Sequence, residues 1–161
     1  MNSTSIGSET PNQSTVICKQ SHNVVTVSGT IITTPNYPEN YDNDHDCEIT
    51  IRFAATQKVS IVFEDFHVEA NLGRSCRYDF LAIYDGETTR SPIIEKECGK
   101  IRPGKTIQST GNAMTLHFHT DQSESRTGFK IIANSIKNEG ILPVFLKEIK
   151  LYHQVFFEFQ F

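Results

Sequence analysis

The stretch Glu48-Ile49-Thr50-Ile51-Arg52-Phe53 alternates polar and apolar side chains at every residue. Successive side chains of an extended strand point to opposite faces, so a period of two is typical of a strand with one buried face. An amphipathic helix would instead place its apolar residues three and four positions apart. Residues 48–53 therefore predict a half-buried β-strand.

The same alternation recurs along the chain, with turn residues between the repeats. Before it, Val25, Val27, Ile31 and Ile32 predict a first strand region, which the turn-rich segment 35–40 closes. After it, the apolar members of the predicted strands are Val59, Ile61 and Phe63; Phe80, Ala82 and Tyr84; Met114, Leu116 and Phe118; and Phe129, Ile131 and Ala133. Because no stretch of ten residues between Thr15 and Ile136 has helical periodicity, we expect an all-β fold of two packed antiparallel sheets, a β-sandwich.

Length and composition fit one domain with tails. The chain has 161 residues, of which 37% are hydrophobic, enough for one modest core. We expect a flexible polar N-terminal linker at 1–16, the domain at 17–136 and a flexible apolar C-terminal extension at 137–161. The extension is interpreted either as an amphipathic docking segment or as an apolar tail outside the domain. The net charge of -4 argues against nucleic acid as a partner.

Several features are typical of a secreted protein. Asn2 and Asn12 begin Asn-x-Ser/Thr glycosylation acceptors. The first fifteen residues lack a basic leader and an apolar stretch, so we expect this chain to be a fragment whose signal peptide lies elsewhere. No run of about 18 apolar residues occurs, and the nearest candidate, 141–146, is followed by two charged residues, so no membrane span is expected.

The chain has four cysteines, Cys18, Cys47, Cys76 and Cys98. In an oxidising compartment they allow three pairings, and spacing alone does not choose among them. Free thiols in a reducing compartment are the alternative, although no C-x-x-C spacing of a zinc or redox site is present. If neighbours pair, each bond closes a loop of about 20 to 30 residues and contributes roughly 3–4 kcal/mol on the chain-entropy model.

Three acidic residues lie near the ends of predicted strands, namely Glu69, Asp79 and Asp121. Ca²⁺ takes six to eight oxygen ligands, and the polar loop 121–125 offers several more oxygens. Acidic side chains at such positions are also common as solvated surface groups, so spacing alone does not establish a metal site.

Histidines suggest two weaker sites. His117 and His119 lie two apart on a predicted strand and form either part of a transition-metal site or an exposed polar face. His67 lies near Glu69, and we hypothesise that its protonation opposes calcium binding. No G-x-S-x-G, H-E-x-x-H or phosphate-binding Gly-rich loop is present, so we expect no enzyme activity.

From Cys18 to Ile136 the sequence resembles a CUB domain, an extracellular jelly-roll-like β-sandwich of complement and developmental proteases, cubilin-type receptors and spermadhesins. The matching segments are SGTI at 28–31, TPNYPENY at 34–41, residues 63–69, CRYD at 76–79, YDG at 84–86, CG at 98–99 and residues 121–129. This resemblance implies the neighbour pairing, Cys18 with Cys47 and Cys76 with Cys98.

The resemblance also implies a Ca²⁺ site. Its expected residues are Tyr41, Glu69, Asp79 and Asp121, with Ser123 and Glu124 in the late loop, where Glu124 replaces the usual Asn. In such modules the cation orders loops that receive a Lys or Arg of an extracellular partner protein. The resemblance therefore predicts a noncatalytic, calcium-dependent protein-binding module.

Two other functions stay open from the sequence. One is an accessory substrate-recognition domain of a secreted metalloprotease. The other is a spermadhesin-like carbohydrate-binding module, in which Tyr37, Tyr41 and Tyr78 supply stacking faces.

Overall fold

The computed structural model describes residues 13–19, 23–71, 73 and 75–139. Within them the regular structure consists of strands. These are β1 (Ser14–Val16), β2 (Asn23–Val25), β3 (Thr30–Thr33), β4 (Asp46–Arg52), β5 (Gln57–Val68), β6 (Phe80–Tyr84), β7 (Ile93–Glu97), β8 (Gly99–Lys100), β9 (Thr106–Gln108), β10 (Ala113–His119) and β11 (Gly128–Lys137). No helix in these residues is long and apolar enough to cross a membrane.

The strands form two sheets that face each other. One sheet has the order β1-β3-β11-β5-β8, with β9 also pairing with β5, and the other has the order β2-β4-β10-β6-β7. Strand β10 lies at the centre of the second sheet and runs antiparallel to both β4 and β6. The predicted all-β sandwich is confirmed.

The core lies between the sheets and follows the alternation seen in the sequence. Leu116 and Phe118 are fully buried, whereas His117 and His119 on the same strand lie on the solvent side. Phe118 contacts Phe129 of the opposite sheet edge-on, with ring centroids 5.4 Å apart. Burying side chains of this size contributes about 2–3 kcal/mol each, so these rings are a main link between the two sheets.

Two disulfides tie the strands together at their ends. Cys18, just after β1, is bonded to Cys47 of β4. Cys76, in the connection before β6, is bonded to Cys98, which directly follows β7. The neighbour pairing implied by the family resemblance is present in the structure.

The edges of the sandwich depart from the expected pattern. β1 pairs in parallel with β3, and β2 pairs in parallel with β4, so both sheets are mixed. The single strand region expected from Val25 to Ile32 is two strands in different sheets, separated by a turn at Gly29, whose φ is +83°. Strands of two to four residues are too short for a period to be recognised, so β1, β8 and β9 were not predicted.

Some sequence predictions fall outside the described residues. These are both glycosylation acceptors, Asn2 and Asn12, most of the linker 1–16, and the extension 137–161 from residue 140 onward. The domain boundaries at 17 and 136 stay predictions.

Candidate functional site

Three acidic side chains converge at one end of the sandwich. β5 ends one residue before Glu69, β6 begins one residue after Asp79, and β10 ends two residues before Asp121. His119, the last residue of β10, pairs with Phe80, the first residue of β6, which places Asp79 and Asp121 side by side. Glu69, Asp79 and Asp121, called the acid cluster below, each offer a carboxylate oxygen within 4.8 Å of those of the other two.

Asp79 is the innermost member of the acid cluster. Its side chain is fully buried, with a relative exposure of 0%. One carboxylate oxygen accepts a hydrogen bond from the Tyr41 hydroxyl at 2.6 Å, and the other accepts one from the backbone N–H of Asp121 at 2.8 Å. These two bonds fix the orientation of the carboxylate, and each oxygen retains a lone pair for a further contact.

Tyr41 connects two members of the acid cluster from the core side. Its ring is buried and packs edge-on against Phe118 at 5.3 Å. Its hydroxyl donates to Asp79 and accepts a hydrogen bond from the backbone N–H of Glu69 at 3.0 Å. Burial, and then the hydrogen bond to Asp79, raise the pKa of Tyr41 well above its ordinary value, so the hydroxyl stays protonated. These two bonds position the Asp79 carboxylate and the backbone of Glu69.

Asp121 is positioned by its own loop and by the loop before β4. One of its carboxylate oxygens accepts hydrogen bonds from the backbone N–H of Ser123 at 2.8 Å and from the Ser123 hydroxyl at 3.4 Å. Its backbone carbonyl accepts a hydrogen bond from the N–H of Asp44 at 2.9 Å. Asn43 reaches the same loop, since its side-chain amide donates to the carbonyl of Gln122 at 3.1 Å. The two loops therefore support each other at the rim of the acid cluster.

The electrostatics of the acid cluster are those of crowded, partly dehydrated carboxylates. Desolvation by burial raises the pKa of Asp79, although the hydrogen bonds from Tyr41 and Asp121 partly oppose this. Desolvation also raises the pKa of Glu69, and the neighbouring charges of Asp79 and Asp121 raise it further. Both shifts mean that the ionised forms are disfavoured here.

One buried oxygen atom of the acid cluster indicates whether these residues fit a cation. Oxygen Oε2 of Glu69 is buried and has no hydrogen-bond partner among the described residues. A buried polar atom without a partner costs about 1–3 kcal/mol. An all-oxygen donor set that includes such an atom fits a hard cation such as Ca²⁺.

Glu124 is not one of the three acids that lie within 4.8 Å of one another, but its charge helps to raise the pKa of Glu69. Its carboxylate pairs with the guanidinium of Arg126 at 2.7 Å, and its backbone has a φ of +50°. The positive charge of Arg126 lowers the pKa of Glu69, and so opposes the rise that burial and the neighbouring acids cause. Sequence reasoning missed Arg126, because a spacing of two residues within a loop does not reveal which way the side chains point.

The three tyrosines suggested as stacking faces for carbohydrate have different surroundings. Tyr41 is buried and offers no ring face for carbohydrate stacking, the Tyr37 hydroxyl donates to Asp65 at 3.0 Å, and Tyr78 is 46% exposed. His67 has a pKa lowered by burial and by the nearby charge of Lys100, so its protonation requires more acid than for an ordinary histidine.

The comparisons with known proteins agree with this geometry. A family model described as "CUB domain" matches residues 18–132, which is more than half of the chain. The chain belongs to the CUB family. Tolloid-like protein 2 of Homo sapiens is 33% identical over 138 residues, which cover 84% of this chain and 13% of that protein. Cubilin of Rattus norvegicus is 37% identical over 101 residues, covering 63% of this chain and 3% of that protein. The chain thus spans a small part of these curated relatives.

Two solved structures are similar to this chain. The full extracellular region of zebrafish Gpr126/Adgrg6 matches with a TM-score of 0.63 and 33% identity, covering 73% of this chain and 15% of that one. The MASP-1 CUB2 domain bound to Ca²⁺ matches with a TM-score of 0.62 and 26% identity, covering 70% of this chain and 96% of that one. Almost all of this Ca²⁺-bound relative aligns with part of this chain.

Proposed function

We propose that this chain is a noncatalytic extracellular module that binds Ca²⁺ at the acid cluster and, with the ion in place, binds a basic side chain of a partner protein. The observation that carries the proposal is the convergence of Glu69, Asp79 and Asp121 within 4.8 Å. CUB domains are generally noncatalytic modules. A similar CUB domain has been crystallised with Ca²⁺, and another similar structure is the extracellular region of its protein.

The donor set favours calcium over transition metals. Glu69, Asp79 and Asp121 supply carboxylate oxygens, and Ser123 brings a hydroxyl to within 3.4 Å of the Asp121 carboxylate. Oxygen-only sites of this kind suit Ca²⁺, which completes its coordination with water and tolerates irregular geometry. The ion would supply positive charge where the three carboxylates repel each other, and it would thereby fix the loops 41–45 and 121–126 around it.

The proposed partner group is a Lys or Arg side chain. Carboxylates that bind a cation through one lone pair retain others, and a hydrogen bond between charged groups is about twice as strong as a neutral one. A basic group already lies beside these acids, since Arg126 pairs with Glu124 and its charge lowers the pKa of Glu69, which supports the proposal. The exposed ring of Tyr78, next to Asp79 in the chain, adds an apolar surface for the stem of a basic side chain.

Calorimetry tests the calcium site. We expect wild type to bind one Ca²⁺ per chain, and Asp121→Asn to bind at least about tenfold more weakly, because one anionic ligand is lost while the shape is kept. The matched control is Glu87→Gln, an exposed acid beyond the opposite end of β6. Calcium affinity equal in Asp121→Asn and wild type would contradict the proposal.

A second experiment tests the partner chemistry. We expect N-acetyl-lysine methylamide, titrated into isotope-labelled chain with saturating Ca²⁺, to shift the amide resonances of 121–126 more than those of the opposite end of the sandwich. With a chelator in place of Ca²⁺, or with N-acetyl-norleucine methylamide as the uncharged probe, the shifts should be lost. Shifts that persist with the chelator would show that binding of a basic group does not depend on calcium.

A further inference from the structure

The disulfide between Cys18 and Cys47 has a histidine beside it. A ring nitrogen of His45 and the sulfur atoms of both cysteines all lie within 4.8 Å of one another. Among the residues that the structure describes, only this group and the acid cluster bring three potential metal-ligating side chains so close together. The three residues are called the cysteine-histidine group below.

The backbone fixes the position of His45. His45 comes two residues before Cys47, and both are partly buried, whereas the alternating residues Asp46 and Glu48 are exposed, so His45 and Cys47 lie on the same side of the extended segment. The N–H of His45 donates to the hydroxyl of Thr120 at 2.9 Å, and its carbonyl accepts a hydrogen bond from the N–H of Thr120 at 2.9 Å. These two bonds tie His45 to the residue after β10 and hold its ring beside the disulfide.

The imidazole of His45 has a nitrogen that its surroundings do not use. Atom Nε2 is buried and has no hydrogen-bond partner among the described residues. Leaving a buried polar atom without a partner is unfavourable, and disulfide sulfurs carry no proton to donate. Neutral imidazole binds metal ions through a nitrogen of this kind. The histidine is therefore better suited to a metal ligand than to a neighbour of a disulfide.

From this geometry we infer that Cys18, Cys47 and His45 form a zinc site when the disulfide between the two cysteines is reduced. A dithiol reductant breaks the S–S bond, donates two electrons and two protons to the sulfurs, and itself becomes a disulfide. Zn²⁺ then displaces the two thiol protons, which are released to solvent. Two thiolates and one neutral imidazole are three of the ligands of a tetrahedral zinc ion, with water as the fourth. The thiolates also balance the charge of the ion.

The site forms with little movement of the backbone. Two thiolates on a tetrahedral zinc ion lie about 3.8 Å apart, because each Zn–S bond is about 2.3 Å long. The Cα atoms of Cys18 and Cys47 are 5.0 Å apart, so rotation about the Cα–Cβ bonds separates the sulfurs sufficiently. The acid cluster offers oxygens alone and suits a hard cation, whereas sulfur and nitrogen ligands suit Zn²⁺. Zinc binding therefore does not depend on the calcium proposal.

Zinc titration of the reduced full chain tests this site. The chain is reduced with a phosphine, which becomes phosphine oxide with oxygen from water, because dithiols bind zinc themselves. Ca²⁺ is kept in excess to compete for the acid cluster. We expect the reduced chain to bind one Zn²⁺ at the cysteine-histidine group, and the oxidised chain to lack this binding. Reduced His45→Gln should bind at least about tenfold more weakly, since losing a ligand costs at least as much as losing a residue that orients one. His67→Gln is the matched control, because it removes a histidine of β5 outside the group and should leave zinc affinity unchanged.

Protection of the thiols shows where zinc binds. In the reduced chain, zinc should slow the alkylation of Cys18 and Cys47, measured by mass spectrometry, and leave that of Cys76 and Cys98 unchanged. Zinc should also raise the melting temperature of the reduced chain more than that of the oxidised chain. If the reduced chain unfolds without zinc, the ion should restore the fold, and failure to do so would count against the site. Equal zinc affinity of reduced wild type and His45→Gln, or protection confined to Cys76 and Cys98, would overturn the inference.

Discussion

A single hydroxyl group links the two sheets at the acid cluster. Tyr41 approaches from the loop before β4, donates to Asp79 in front of β6, and accepts from the N–H of Glu69 behind β5. Removing this oxygen leaves a fully buried carboxylate with one hydrogen bond fewer, which costs about 1–3 kcal/mol. The proposed site therefore depends on a residue that itself need not touch the ion.

We expect Tyr41→Phe to keep the fold, because the ring stays in its packed position, but to lower the free energy of unfolding by about 1–3 kcal/mol. Urea titration with a chelator present measures this. Calcium affinity, measured by calorimetry, should also fall, since Asp79 loses its anchor. Tyr84→Phe, at the far end of β6, is the matched control. Identical calcium affinity in Tyr41→Phe and wild type would contradict the positioning role.

The raised pKa values of Glu69 and Asp79 predict how stability depends on pH without calcium. A carboxyl group whose pKa is raised by folding destabilises the native state once it ionises. This cost builds up as the pH rises above the ordinary carboxyl value of about 4, and it is complete above the raised pKa. Acidification from neutral pH should therefore recover stability when the ion is removed.

We expect Glu69→Gln to reduce this recovery, because one of the two acid-cluster carboxyl groups with a raised pKa no longer titrates. The measurement is the melting temperature in EDTA between pH 7 and about pH 5, compared with Glu87→Gln, which should behave as wild type. With Ca²⁺ in excess the wild-type curve should change direction, since protons then compete with the ion. A wild-type melting temperature in EDTA that falls steadily on acidification would refute the prediction.

The sequence predicts the members of the acid cluster but not all of their contacts. Asp79 directly precedes a recognisable strand and Asp121 comes shortly after one, so the sequence predicts that both lie at strand ends. Glu69 is predicted at a strand end in the same way, because it comes directly after the alternating residues of β5. The pairing of Glu124 with Arg126 depends on a loop residue with positive φ. Side-chain direction in such a loop has no periodicity to reveal it.

Strands with one buried face are the elements that the sequence predicts well. β4, β5, β10 and β11 show the alternation, because one face of each packs in the core. β6 is apolar throughout, and its core side chains are Leu81 and Ile83 rather than the predicted Phe80, Ala82 and Tyr84. β7 was missed because Glu95 and Glu97 replace apolar residues there. The ammonium group of Lys105 contacts both carboxylates and partly compensates their charge. Lys105 is ten residues from Glu95 and eight from Glu97, with a loop between them. Such an ion pair produces no periodic pattern from which a strand could be predicted.

The start of β11 requires a glycine. Gly128 has a φ of +77°, and an added Cβ atom would lie 1.9 Å from the hydroxyl oxygen of Thr34. That hydroxyl accepts a hydrogen bond from the N–H of Phe129 at 3.2 Å. Thr34 can therefore not move away without losing a bond to the first residues of the strand.

We expect Gly128→Ala to lower the free energy of unfolding by about 1–3 kcal/mol, through backbone strain and displacement of Thr34. Denaturant unfolding in a chelator measures this. Gly111→Ala is the matched control, since that glycine does not have a positive φ and an added Cβ would meet nothing within 4 Å. Equal loss of stability in the two variants would show that the close approach to Thr34 has no special cost.

The expected domain boundaries would remove one edge strand of the sandwich, β1, and a contact beyond the end of β11. β1 occupies the edge of the six-stranded sheet, where the N–H of Ile31 donates to the carbonyl of Gln13 at 2.8 Å. At the other terminus, the N–H of Asn138 donates to the carbonyl of Thr56 at 3.0 Å. A domain cut at 17 and 136 would lose both contacts, together with the pairing of β1.

We therefore expect the fragment 17–136 to fold, held by both disulfides, but to melt at least about 5 °C below the fragment 13–139, since each lost hydrogen bond contributes about 0.5–1.5 kcal/mol. Differential scanning calorimetry with saturating Ca²⁺ measures the difference. The fragment 13–161 is the control that separates the contribution of the apolar extension from that of the edge strand. Equal melting temperatures for 17–136 and 13–139 would place the boundary where sequence reasoning put it, and would make β1 dispensable to a sandwich whose stability then resides in β2 to β11.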